Sequence, residues 1–119
     1  VTATHALLVA LGAAVGAPAR MLVGQAVRDR FGASVPTGTL VVNVAGAFVL
    51  GLLVGGKAGP GWLALLGTGF CGAFTTFSSL ALEIWQATED GDRLEPTRIV
   101  ALTVVLGVGA AAAGYALTA

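Results

Sequence analysis

The chain has 119 residues, with six basic and six acidic side chains against an apolar fraction of 56%. A soluble domain carries about 25% charged residues; this one has 10% and a mean hydropathy of +0.91, too few charges to cover a wetted surface. The balanced charge argues against a nucleic-acid partner, and Cys71, the only cysteine, excludes an intrachain disulfide.

Lipid is therefore the expected solvent, and the length suits one domain. No charged stretch precedes an apolar one at the start, so a cleaved signal peptide is not expected. A bilayer core takes about 20 mostly apolar helical residues, and four segments meet that need. The expected architecture is an all-α membrane protein with four transmembrane helices.

The first segment runs from Thr4 to Val27 and contains Arg20 within Gly-Ala-Pro-Ala-Arg. A guanidinium at that depth either faces a cavity or snorkels to the interface. Arg28, Asp29 and Arg30 then open a loop that ends at Pro36. The second segment, Thr37 to Gly55, places Thr39, Asn43 and Gly46 on one helical face. A neutral amide there can bond a neighbouring helix, or can donate to an anion without adding a fixed charge. Lys57 follows in a short Gly/Pro turn.

The third segment, Gly61 to Ala87, holds the run Gly-Thr-Gly-Phe-Cys-Gly-Ala-Phe-Thr-Thr-Phe-Ser-Ser from Gly67 to Ser79. Glycine and threonine are weak helix formers, and their concentration in mid-membrane predicts a broken helix near Gly72 to Thr76. The alternative is a continuous helix whose hydroxyls bond back to their own backbone. A break exposes carbonyls on one half-helix, suited to a cation, and N–H groups on the next, suited to an anion. Phe70, Phe74 and Phe77 keep helical spacing, a face that a break destroys. Phe77 and Leu80 then lie one turn apart on the second half, where an aromatic edge can touch an anion. Glu83 lies toward the end of this segment, placed to pair with an arginine, edge a vestibule or reach water.

A polar loop of Glu89, Asp90, Asp92, Arg93 and Glu95 leads to the fourth segment, Pro96 to Thr118. Pro96 suits a first helical turn. Thr103 is the clearest polar residue within the segment, and Tyr115 reads as an interfacial anchor. The pairs Gly12/Gly16 and Gly51/Gly55 have the spacing that brings helix backbones together in lipid. Arg28, Arg30, Arg93 and Arg98 outweigh Lys57 and His5, which orients loops one and three toward the cytoplasm and both termini outward.

Three motifs thus stand in order: GAPAR from Gly16, GTLVVNVAGAF from Gly38 and GFCGAFTTFSS from Gly69. Together they resemble the CrcB/Fluc family of fluoride channels over nearly the whole chain. The resemblance implies an antiparallel, dual-topology dimer in the cell's inner membrane, with two narrow pores that pass fluoride down its electrochemical gradient and relieve its toxicity. It implies a structural sodium at the dimer centre, held by the backbone carbonyls of Gly72 and Thr75. By motif position, Asn43 and Phe77 contact fluoride, Thr39 and Thr103 belong to polar pore tracks, and Arg20 draws anions to a vestibule. The chain departs from the family pattern at Leu80, where a second phenylalanine is frequent, and at Ile99 and Gly107, where polar or aromatic side chains are frequent. With the basic-loop bias, these departures make a heterodimer with an oppositely oriented paralogue an alternative to the homodimer. A four-helix multidrug antiporter needs a buried carboxylate in its first helix, and this first segment has none. A non-conducting assembly subunit is the third alternative. No phosphate loop, metal-ligand spacing or nucleophile–base set points to an enzyme.

Overall fold

The structure, a computed structural model, describes residues 2–32, 37–91 and 94–119. Its helices are α1 (Ala3–Phe31), α2 (Thr37–Gly55), α3 (residues 60–74), α4 (Ser78–Glu89) and α5 (Leu94–Thr118). Helices α3 and α4 are the two halves of one span, Pro60–Glu89. Among the described residues, four spans are long and apolar enough to cross a membrane, so this is a multi-pass membrane protein.

Two boundaries move from the sequence expectation. Arg28, Asp29 and Arg30 continue α1 rather than opening a loop, and Arg28 and Arg30 occupy its last turn. Cations there meet the negative end of the helix dipole. Glu95 likewise lies inside the first turn of α5, where it pairs with Arg98 at 3.0 Å. Pro36, Asp92 and Arg93 lie outside the described residues.

The chain runs up and down. Gly24 of α1 lies against Gly38 of α2, which fixes their antiparallel pairing. Helix α1 packs along α3, and α2 packs along α5 in parallel. Glycine makes both contacts possible. A Cβ on Gly12 would collide with the Leu65 carbonyl, and one on Gly16 with the Phe70 carbonyl. Gly51, Gly55 and Gly114 bring α2 and α5 together in the same way, against Ala111, Tyr115 and Phe48. Without a hydrophobic drive between helices in lipid, such close backbone contact supplies the packing. The Thr118 hydroxyl adds an interhelical bond to the Leu52 carbonyl at 2.9 Å. Leu7, Leu11, Val15, Met21 and Leu22 remain exposed on α1, as the surface of a lipid-solvated chain requires.

Helix α3 has an internal irregularity that the composition did not announce. Residues Leu63–Cys71 are wound as a π-helix, with wider i→i−5 bonding. Such winding is rare beyond a single turn and concentrates at functional sites. It faces α1 where Gly12 and Gly16 admit its backbone, and leads directly into the break.

Candidate functional site

The break falls at residues 75–77, after Gly72 rather than at it. Gly72–Phe74 is still helical, and Thr75 then turns extended, with φ −86° and ψ 162°. Two bonds close the end of α3: the Thr75 N–H donates to the Cys71 carbonyl at 3.0 Å, and the Thr75 hydroxyl donates to the same oxygen at 2.9 Å. Phe70 and Phe74 stack on the α3 side, with centroids 5.4 Å apart and planes 13° apart. Phe77 leaves that stack across the break and is 81% exposed on the single chain.

A peptide interrupted in mid-membrane needs its polar groups satisfied by protein. Asn43 does this for Thr76. Its Nδ2 donates to the Thr76 carbonyl at 3.1 Å, and the Thr76 N–H donates to Asn43 Oδ1 at 2.8 Å. The polarity of the peptide fixes which end of the amide is which. One Nδ2–H of Asn43 is left over. Gly46, one turn further along α2, makes room for this docking, because the Thr75 methyl occupies the place of its missing Cβ. Thr76 is buried, and its hydroxyl accepts the Ser79 N–H at 3.2 Å, capping the first turn of α4.

The consequence for the carbonyls follows from helix geometry. In a continuous α-helix the Thr76 N–H would serve the Gly72 carbonyl, and the Ser79 N–H would serve that of Thr75. Asn43 and the Thr76 hydroxyl take those two donors. The carbonyls of Gly72, Ala73, Phe74 and Thr75 are all left with no donor among the described residues. Of these four residues only Gly72 and Thr75 line an open cleft of about 440 Å³, and Gly72 is exposed, with nothing within 4 Å of a Cβ there.

The same cleft gathers most of the residues singled out from sequence. Asn43, Gly72, Thr75, Phe77, Leu80 and Thr103 all line it, with Gly46, Cys71, Thr76 and Gly107. Gly107 leaves open space at the α5 wall, whereas Ile99 is buried and adds no polar group. Thr39 and Glu83 do not line this cleft, and Glu83 Oε2 is buried with no hydrogen-bond partner among the described residues. Arg20 is half-buried on α1, apart from the cleft, and has no ion-pair partner among the described residues. Sequence reasoning missed Thr76. Its signal was the Thr-x-x-Ser spacing into a new helix, where a hydroxyl commonly caps.

Chemically, the cleft offers two unpaired carbonyl oxygens on one wall, and a neutral amide, a threonine hydroxyl and an exposed aromatic ring on others. It carries no fixed charge. Such a lining suits brief contact with a small ion and gives no tight site.

Comparison with known proteins identifies relatives over most of the chain. A family model described as "CrcB-like protein, Camphor Resistance (CrcB)" matches residues 7–115. The chain is 44% identical over 120 residues to fluoride-specific ion channel FluC 1 of Frankia casuarinae, covering 93% of each. It is 44% identical over 117 residues to FluC 1 of Symbiobacterium thermophilum, covering 93% of this chain and 94% of that one. It is also 45% identical over 112 residues to FluC 2 of Rhodococcus jostii, covering 94% and 96%.

Proposed function

The chain belongs to the CrcB family, and on that premise we propose that it is a passive fluoride channel, not an enzyme, working as an antiparallel dimer in the inner membrane to let fluoride leave the cell. The single observation that carries the reading is the Asn43–Thr76 fastening, which holds a helix break open inside the membrane-spanning region.

Fluoride is small and strongly hydrated. Burying an uncompensated ion costs on the order of tens of kcal/mol in idealised terms, so a path must replace water with many modest contacts. The remaining Asn43 N–H, the Thr103 hydroxyl and the positive edge of the Phe77 ring are such contacts. None is a full charge that would trap the ion, and conduction needs release as much as binding. Leu80 takes part as an apolar wall. Thr39 with Glu83, and Arg20 on α1, serve the approaches, where the Arg20 guanidinium raises local anion concentration.

A sodium ion fits the donor set at the break. The Gly72 and Thr75 carbonyls are hard, uncharged oxygens without donors, the ligand type such a cation takes. Two of them from one chain are too few to enclose it, and a two-fold partner doubles the number. The ion supplies a fixed positive charge between the protomers. The exposed Gly72 and Phe77 belong to that same contact face.

Reconstitution of the purified chain in liposomes tests the reading directly. Rapid fluoride efflux with negligible chloride efflux is expected; equal efflux of both overturns the reading, and none of either overturns the homodimer. Arg28, Arg30 and Arg98 gather at one end of the up-down bundle and bias insertion. This favours a second arrangement, pairing with an oppositely oriented paralogue. In that arrangement the chain conducts only when co-expressed with its partner, while a homodimer conducts alone.

A further inference from the structure

We infer that Thr76 and Asn43 are positioning residues for the cation: each diverts one backbone N–H, and the two diversions together release the Gly72 and Thr75 carbonyls. The inference depends on the sodium reading above and adds to it the side chains that create the ligands.

Weak helix formers alone do not explain the free carbonyls. The break leaves the carbonyls of residues 72–75 all without a donor, but only Gly72 and Thr75 line the cleft, and the two N–H groups that would close on them in a helix are the two that side chains take. The Thr76 N–H instead meets Asn43 Oδ1 at 2.8 Å, and the Ser79 N–H meets Thr76 Oγ1 at 3.2 Å. The Thr75 hydroxyl does not compete, because it donates back to Cys71 at 2.9 Å. The assignment is one to one. Asn43 governs the Gly72 carbonyl, and the Thr76 hydroxyl governs that of Thr75. Asn43 also lines the cleft, so one amide holds both the anion wall and half of the cation ligands in place.

Thr76→Val keeps the shape of the side chain and removes the hydroxyl. The Ser79 N–H, without its acceptor, turns back on the Thr75 carbonyl, its ordinary helical partner. Thr76→Ser keeps the hydroxyl and the diversion.

The test is sodium-dependent thermal stabilisation of the purified, full-length protein, with sodium replaced by N-methylglucamine at constant ionic strength. An ion that binds only the folded form raises the unfolding midpoint as its concentration rises. For the wild type, the midpoint begins to climb once sodium exceeds its dissociation constant and then rises with the logarithm of the sodium concentration. Thr76→Val should need about tenfold more sodium, or greater, before its midpoint begins to climb, while Thr76→Ser stays within about threefold of the wild type. Asn43→Ser, whose side chain is too short to reach Thr76, is measured in parallel and should shift in the same direction. It supplies the decision if Thr76→Val does not fold. A purely structural role lowers every midpoint but leaves the sodium concentration at which the climb begins where it was. That result in either folded variant overturns the inference and leaves the sodium site standing. A wild-type midpoint indifferent to sodium overturns the site and the inference together.

Discussion

Asn43 grips the Thr76 peptide as a neighbouring β-strand would, accepting from its N–H at 2.8 Å and donating to its carbonyl at 3.1 Å. One side chain on α2 thus replaces two backbone partners that the break removes. Left unpaired and buried, each of those groups would cost about 1–3 kcal/mol.

Asn43→Asp replaces the donating nitrogen with an oxygen aimed at the Thr76 carbonyl. It also presents negative charge to the cleft that Asn43 lines. Fluoride efflux from liposomes should fall by about tenfold or more. Unchanged efflux removes Asn43 from the pore.

Phe77→Ile keeps bulk in the cleft and discards the aromatic edge. A drop in fluoride efflux with a normally folded protomer is expected, since 81% of Phe77 is exposed on the single chain and few contacts within it depend on the ring. Efflux at the wild-type rate would reduce the ring to a passive wall.

Gly46 and Gly107 both border the cleft but should answer differently to alanine. A methyl on Gly46 meets the Thr75 side chain and pushes α2 off the break. Overpacking of this kind costs about 1–3 kcal/mol, read as a lower unfolding midpoint. Gly107→Ala fills open space, so the midpoint should hold while efflux through the narrower cleft slows. Equal midpoints for the two variants would contradict the packing at Gly46.

Thr118→Val removes the hydroxyl that ties α5 to the Leu52 carbonyl across the α2–α5 contact. A loss of about 1 kcal/mol is expected, seen as a lower midpoint with fluoride selectivity intact. A change in selectivity would mean that this end of α5 reaches the ion path.

The four spans, the glycine seams and the interruption of the third span were all legible in the chain. Hydropathy over about 20 residues answers to bilayer thickness, and the run from Gly67 to Ser79 lacks good helix formers. The motifs also pointed to Asn43, Phe77, Gly72 and Thr75, which the fold brings to one cleft. The position of the break within its run was not legible, because composition marks a weak stretch and does not say which peptide yields. The π-helical winding of Leu63–Cys71 was hidden for the same reason, since it accompanies the close approach of α1 at Gly12 and Gly16.

By itself, then, the sequence determined the solvent, the number of crossings and the weak point of the third, because these depend on local transfer and conformational free energies. Only the tertiary structure decided that Thr76 is the peptide held and that two carbonyls are left facing the cleft. Those outcomes turn on hydrogen bonds between residues 33 positions apart, and such pairings are settled by how the helices pack.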